Sequence, residues 1–187
     1  MTHSASDDTP VVYQMRISLL DVEPEVWRQV LVPGSATLAT LHSVIQLTMG
    51  WSNKHLHNFE ISGNTYEMRD DENDDDELIE TDYTVEMVVR EGDRFVYEYD
   101  FGDGWTHHIQ IEAVLPTNPE LTIPTVLAGA NMCPHEDSGG PRVYKRILKE
   151  TSTFGDGISD ERNPHFREFA PRAFDVVEIN ARLQRMV

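Results

Sequence analysis

The sequence predicts an α+β fold: a single compact domain in which antiparallel β-hairpins form a sheet packed with helices, ending in a helical C-terminal part. Three observations lead there. Apolar residues alternate with polar ones in several short runs before residue 116, the period of half-buried strands. Tight turn signals separate those runs, which suits hairpins rather than parallel crossovers. Helical periodicity dominates only after residue 140, apart from one well-capped helix near residue 40, so strands and helices are largely segregated along the chain.

The elements follow in order. Residues 1–10 are polar and acidic and read as a disordered tail, with neither the basic region nor the apolar stretch of a signal peptide. Residues 11–187 form the single domain. Tyr13, Met15, Ile17 and Leu19 alternate with Gln14, Arg16 and Ser18, and the turn Asp21-Val22-Glu23-Pro24 leads to a second strand, Val26–Val32. Thr37 caps a helix carrying Leu38, Leu41, Val44, Ile45 and Met49, and Gly50 sits where a left-handed C′ residue belongs. His55–Ser62 reads as a strand turning through Gly63-Asn64 into another at Thr65–Met68. A short helix is expected within Thr84–Val89, then strands at Arg94–Phe101 and Trp105–Leu115.

Pro116, Pro119 and Pro124 impose an irregular passage, and Leu127–Pro141 reads as a loop of small residues. Val143–Glu150 predicts a helix with Val143, Tyr144 and Ile147 inward. Beyond a break at Gly155-Asp156-Gly157, a helical fragment is expected at Phe166–Phe169. A terminal helix follows at Phe174–Met186, with Val176, Val177, Ile179 and Leu183 apolar.

Composition narrows the function. No window approaches eighteen consecutive apolar residues, so no membrane span is expected. One cysteine, Cys133, cannot build a disulfide framework and suits a cytoplasmic location. Net charge is −18; the run Asp70–Asp82 holds nine acidic and no basic residues, leaving 24 acidic against 15 basic elsewhere. Nonspecific nucleic-acid binding is disfavoured by that charge. The run itself reads as an acidic surface loop, 70–82, open to a basic protein partner. Its Asp71-x-Asn73-x-Asp75 spacing with Asp82 only partly matches a calcium loop, because Asp76 stands at the turn glycine.

Three segments carry residues capable of chemistry. In the turn between Tyr97 and Glu112, Asp100, Asp103 and His107 could share a divalent ion or a proton. Hairpin chemistry explains the same residues, since Asp103-Gly104 supplies positive φ. In His55-x-His57, two imidazoles on one strand would face the same way and provide half a metal site, completed by His107, Asp103 or Cys133; packed histidines are the plainer account. In Cys133-Pro-His135-Glu136-Asp137-Ser-Gly-Gly-Pro, a thiol stands near acids, and Cys133, Glu136 and Asp137 are the catalytic candidates. No P-loop, GxGxxG, HExxH or GxSxG is present.

These pieces form an ordered set: Tyr13-Gln14-x-x-Ile17-x-Leu19-x-Asp21-Val22-x-Pro24-x-Val26-Trp27-Arg28; Met49-Gly50-Trp51; His55-Leu56-His57-x-Phe59; Gly92-Asp93-x-Phe95-x-Tyr97-x-Tyr99-Asp100-Phe101-Gly102-Asp103-Gly104-Trp105-x-His107; and Cys133-Pro134-x-Glu136-Asp137-x-Gly139-Gly140-Pro141. From Tyr13 to Leu183 the chain resembles the plasmid pRiA4b ORF-3-like family. The resemblance implies a compact α+β domain of bacteria and archaea, sometimes plasmid-borne or an insertion-element passenger, and assigns no activity. It matches at His55, His57, Asp100, Asp103, His107, Cys133, Glu136 and Asp137, and departs at His135, where the family often has proline. His108 falls at a variable position. Two functions follow as expectations: a cytoplasmic binding or accessory module of plasmids or mobile elements, or a metal-dependent phosphoester hydrolase. The hydrolase would use His55, His57, Asp103 and His107 as ligands and Glu136 as base.

Overall fold

The computed structural model describes residues 10–69, 77–154 and 174–186. The expected N-terminal tail, most of the acidic loop, the 155–157 break and the Phe166–Phe169 fragment lie outside the described residues.

Eight strands form one sheet in the order β5-β4-β3-β6-β7-β1-β2-β8, with β1 at Val11–Leu19 and β2 at Trp27–Pro33. β3 spans His57–Ile61, β4 Asn64–Glu67, β5 Leu78–Ile79, β6 Arg94–Tyr99, β7 Trp105–Pro116 and β8 Thr125–Ala130. Every pairing is antiparallel except β4 with β5. This is the α+β single domain that the alternating runs predict. β7 lies between β1 and β6 and turns Trp105, His107, Ile109 and Ile111 inward.

Helix α1, Leu38–Met49, keeps its predicted ends. The Thr37 hydroxyl accepts from the Thr40 amide, and Gly50 takes φ 86° to close the helix. Its buried stripe of Leu38, Leu41, Val44, Ile45 and Met49 joins the core of Met15, Ile17, Phe59, Tyr97, Ile109 and Ile111. The short helix α2, Val85–Val88, is also where the sequence places it. Helix α3, Gly140–Phe154, begins three residues earlier than expected, because Pro141 is tolerated in a first turn. Among the described residues no helix is long and apolar enough to cross a membrane.

Three expectations need correction. Part of the Leu127–Pro141 loop is strand β8, paired with β2. Its Ala128-Gly129-Ala130 end lacks alternation, and Gly129 is needed because a Cβ there would sit 2.6 Å from the Phe174 ring and 2.7 Å from the Trp27 carbonyl. The acidic run is not solvated throughout: Leu78–Ile79 joins the sheet, and Glu80, in a 3-10 turn at Glu80–Asp82, is buried. The terminal helix α4, Val176–Leu183, leaves Val177 exposed. Leu183 of the expected apolar set is fully buried and Ile179 packs against the core. The helix also attaches through Asn180, whose side chain accepts from the Val126 amide and donates to the Val126 carbonyl. That contact covers the β8 edge.

Among the described residues, one cation lies in the interior. Arg28 is 1% exposed. Its Nε donates to the Thr48 carbonyl at 2.8 Å, and Nη1 donates to the carbonyls of Trp27 and Ala130 at 2.7 and 2.9 Å. The Phe174 ring covers it, 4.2 Å from the guanidinium carbon, and burial lowers its pKa to about 10. Arg28→Lys keeps the charge but loses the planar fork and strands carbonyl partners. It should lower unfolding free energy by roughly 2–4 kcal/mol, read as a drop in urea midpoint at unchanged slope.

Candidate functional site

The hairpin turn between β6 and β7 is built by its own aspartate. Asp100 takes φ 57°, and its Oδ1 accepts from the amides of Gly102 and Asp103 at 3.1 and 3.2 Å, an Asx turn. Gly104, at φ 71°, closes the loop by donating to the Asp100 carbonyl. The chain that enters helix α3 lies against this turn. Asp103 Oδ2 accepts from the Gly139 amide at 2.9 Å. Gly140, at φ 78°, packs so closely that a Cβ would fall 2.2 Å from the Asp103 carbonyl oxygen.

Residues 133–137 are held from the other side by the segment that leaves α1. Trp51 Nε1 donates to the Pro134 carbonyl at 2.8 Å, and its ring stacks on Tyr99. Glu136 accepts from the Ser52 amide at 2.9 Å, from the Ser52 hydroxyl, and from the Tyr99 hydroxyl at 2.5 Å. Burial raises the Glu136 pKa, but the hydrogen bonds from Ser52 and Tyr99 outweigh it and hold the carboxyl below its ordinary range. Cys133 is buried, and desolvation pushes its thiol up despite the nearby Arg28 charge. A carboxylate already holding three donors is a poor base, and a thiol held protonated is a poor nucleophile.

The structure separates the histidines that the spacing groups. His55 precedes the strand in a bend, and β3 begins at His57, so period two does not apply between them. His57 enters the core, stacks on His42 with ring centroids 3.5 Å apart, and places Nε2 2.9 Å from buried Glu80. His42 Nδ1 accepts from the Tyr97 hydroxyl at 2.7 Å, while Nε2 donates to Asn53 Oδ1 at 2.8 Å. His107 is fully buried and donates from Nδ1 to the Tyr97 carbonyl at 3.3 Å. The quartet His55, His57, Asp103 and His107 therefore does not gather.

A different trio does. His55 Nε2 lies 2.9 Å from Asp137 Oδ1 and 3.6 Å from Asp100 Oδ2. Among the described residues, these three form the one group of His, Cys, Asp or Glu with donor atoms mutually within 4.8 Å. His55 Nε2 is screened from solvent yet makes no hydrogen bond, because the near carboxylate oxygen lies off the ring's N–H direction. Two ligands each about 2.1 Å from one ion at 90–110° stand roughly 3.0–3.4 Å apart, close to these spacings. One imidazole with two carboxylates suits Zn²⁺ or Mn²⁺ better than an all-oxygen cation site does.

Residues 11–182 match the plasmid pRiA4b ORF-3-like protein family. The chain belongs to that family. An uncharacterised protein of Sinorhizobium fredii, y4hQ, is 37% identical over 140 residues, covering 74% of this chain and 72% of its own length. The crystal structure of MM3350, a protein of unknown function from Methanosarcina mazei Go1, has 26% identity and a TM-score of 0.77, covering 91% of this chain and 98% of that one. Several of the ordered motifs that carry the resemblance in the sequence meet here: Trp51, His55, the hairpin turn and the 133–140 loop.

Sequence reasoning set Asp100 among the turn residues but did not pair it with His55 and Asp137. It missed His42 and Glu80. His42 had a signal, since it lies on the Leu38-Ile45-Met49 face of α1; Glu80 had none inside an acidic run.

Two outcomes follow. Gly140→Ala should destabilise the protein by about 1–3 kcal/mol and shift the Trp51 indole N–H resonance, because the loop must leave the turn. Burial lowers the pKa of both His42 and His107 from 6.5 to about 4, with the His57 charge adding to the shift at His42. The unfolded chain then binds protons between about pH 6.5 and 4 that the folded chain does not, so stability falls as pH drops through that window. At pH 5 each ring costs roughly 2 kcal/mol relative to pH 7. In denaturant titrations His107→Leu should flatten that dependence.

Proposed function

We propose that this protein is a binding module whose ligand is a divalent transition-metal cation, held by His55 Nε2 and one carboxylate oxygen each from Asp100 and Asp137. The observation that carries the reading is the screened, unbonded His55 Nε2 set between two carboxylates at ligand-to-ligand spacing. Glu136 supports it as a positioning residue, since its hydrogen bonds to Ser52 and Tyr99 hold the loop that delivers Asp137. The occupied state of Glu136 and the protonated, buried Cys133 weigh against chemistry at either group. A buried single thiol suits a reducing cytoplasm. The family description, which carries a plasmid's name, supports an accessory role with mobile elements.

A phosphoester hydrolase is the second reading, favoured by one observation. Asp137 is 63% exposed, so a bound ion would keep positions open for water and substrate, as catalytic sites do.

Purified protein titrated with Zn²⁺ and with Mn²⁺ in a calorimeter should bind one of them at one ion per chain. His55→Ala and Asp137→Asn should each weaken it at least tenfold, whereas His57→Ala should leave stoichiometry intact. Binding that is absent, or equal in wild type and His55→Ala, would sink the metal reading. Hydrolysis of an aryl phosphate by the loaded protein, lost in Asp137→Asn, would select the enzyme over the module.

A further inference from the structure

The opposite face of the sheet holds a second feature, independent of the His55 cluster. Arg16 of β1 and Arg94 of β6 both pair in register with Gln110 of β7. The two arginines therefore stand two strand spacings apart, about 10 Å, on the row that faces away from the core. One step along, Ser18 and His108 pair across the same strands. Together with Ile109 these residues line a groove of about 210 Å³.

Its charge runs against the chain. The whole protein carries 33 acidic and 15 basic residues, yet among the described residues the groove is lined by two arginines, a histidine, a glutamine, a serine and Ile109, with no carboxylate. The nearest competing anion is Glu25, which accepts from Arg16 Nη2 at 3.0 Å and from the Ser18 hydroxyl at 3.1 Å. Three more carboxylates share this outward face: Glu112, which already accepts from the amides of Gln14 and Gln29, Glu98, across from Thr106 on β7, and Glu60, across from Val96 on β6. Arg16 is further fixed by stacking over Trp27, 4.0 Å from the ring centre. Its guanidinium is thus oriented while part of its donor fork stays available. Exposed Arg94 and His108 flank the same floor. The histidine that faces this groove is the neighbour of core His107, because consecutive strand residues point to opposite faces.

We propose that this groove binds a small doubly charged oxyanion, engaged by Arg94, the free edge of Arg16 and His108, with the Gln110 amide donating from the floor. Two guanidiniums in one groove suit two anionic oxygens, and the volume admits a phosphate monoester or a short dicarboxylate rather than a drug-sized ligand. Long-range repulsion from the net charge is screened beyond about 10 Å at 0.1 M salt, so an anion in the groove responds mainly to the two arginines set against the local carboxylates Glu25, Glu60 and Glu98.

The test is an NMR titration of the full chain with inorganic phosphate and, separately, succinate, following the His108 ring and the Ser18 and Gln110 amides. At least one anion should give saturable shifts, and which one saturates distinguishes the phosphate from the dicarboxylate source. Arg94→Gln should weaken binding at least tenfold, Glu25→Gln should tighten it by removing the rival carboxylate, and His55→Ala should change nothing. Lys145→Gln controls for net charge. If Arg94→Gln disturbs the fold by circular dichroism, Arg94→Lys tests the fork with the charge kept and should still weaken binding. Absence of saturation by either anion to tens of millimolar, or equal weakening by Lys145→Gln and the Arg94 variant, would overturn the proposal.

Discussion

The buried guanidinium of Arg28 sets the geometry on which the rest of this protein is hung. Among the described residues no carboxylate hydrogen-bonds to it; three backbone carbonyls take its donors. One of them, Thr48, lies in the last turn of α1, where unpaired carbonyls and the helix dipole favour a cation. The other two belong to Trp27 and Ala130, in β2 and β8. A single side chain therefore fixes where the helix ends relative to the sheet edge. Immediately beyond that end comes Gly50, and then Trp51 and Ser52, which grip the 133–136 segment. The position of the candidate metal ligand Asp137 is thus inherited, through four short links, from an arginine in the core.

A second polar network disciplines the other half of the interior. Tyr97, on β6, gives its hydroxyl proton to His42 and accepts from Gln46, both on α1. His57 stacks on His42 and meets Glu80. Apolar residues alone would let α1 slide along its stripe over the sheet, since hydrophobic burial is non-directional. Donor and acceptor pairs allow one register, because any slip leaves buried polar groups unpaired. His42 of α1 and His57 of β3 therefore define the packing rather than the chemistry.

The sequence carried α1 to the residue, since Thr37 and Gly50 act through contacts within the helix itself. It carried the strands whose residues alternate, and it was right about the hairpin at Asp100–Gly104, where the turn is made by local Asx and positive-φ geometry. It could not carry β8, whose Gly129 is required by a ring and a carbonyl from distant segments. Nor could it carry Val177, which is apolar in sequence but faces outward because Asn180 sets how α4 attaches to the β8 edge.

What the sequence determined by itself was the α+β class, the family and the short list of residues among which a site would be found. Those depend on periodicity, turn chemistry and motif order, all local along the chain. Only the tertiary structure decided which of them meet. His55 and His57 are two residues apart and point into different environments, because the strand starts between them; His55 and Asp137 are 82 positions apart and lie 2.9 Å from each other. Side-chain spacing in a strand fixes a face only while the strand lasts, and the contact across 82 residues exists because Trp51, Tyr99 and Gly140 fold one loop onto one turn.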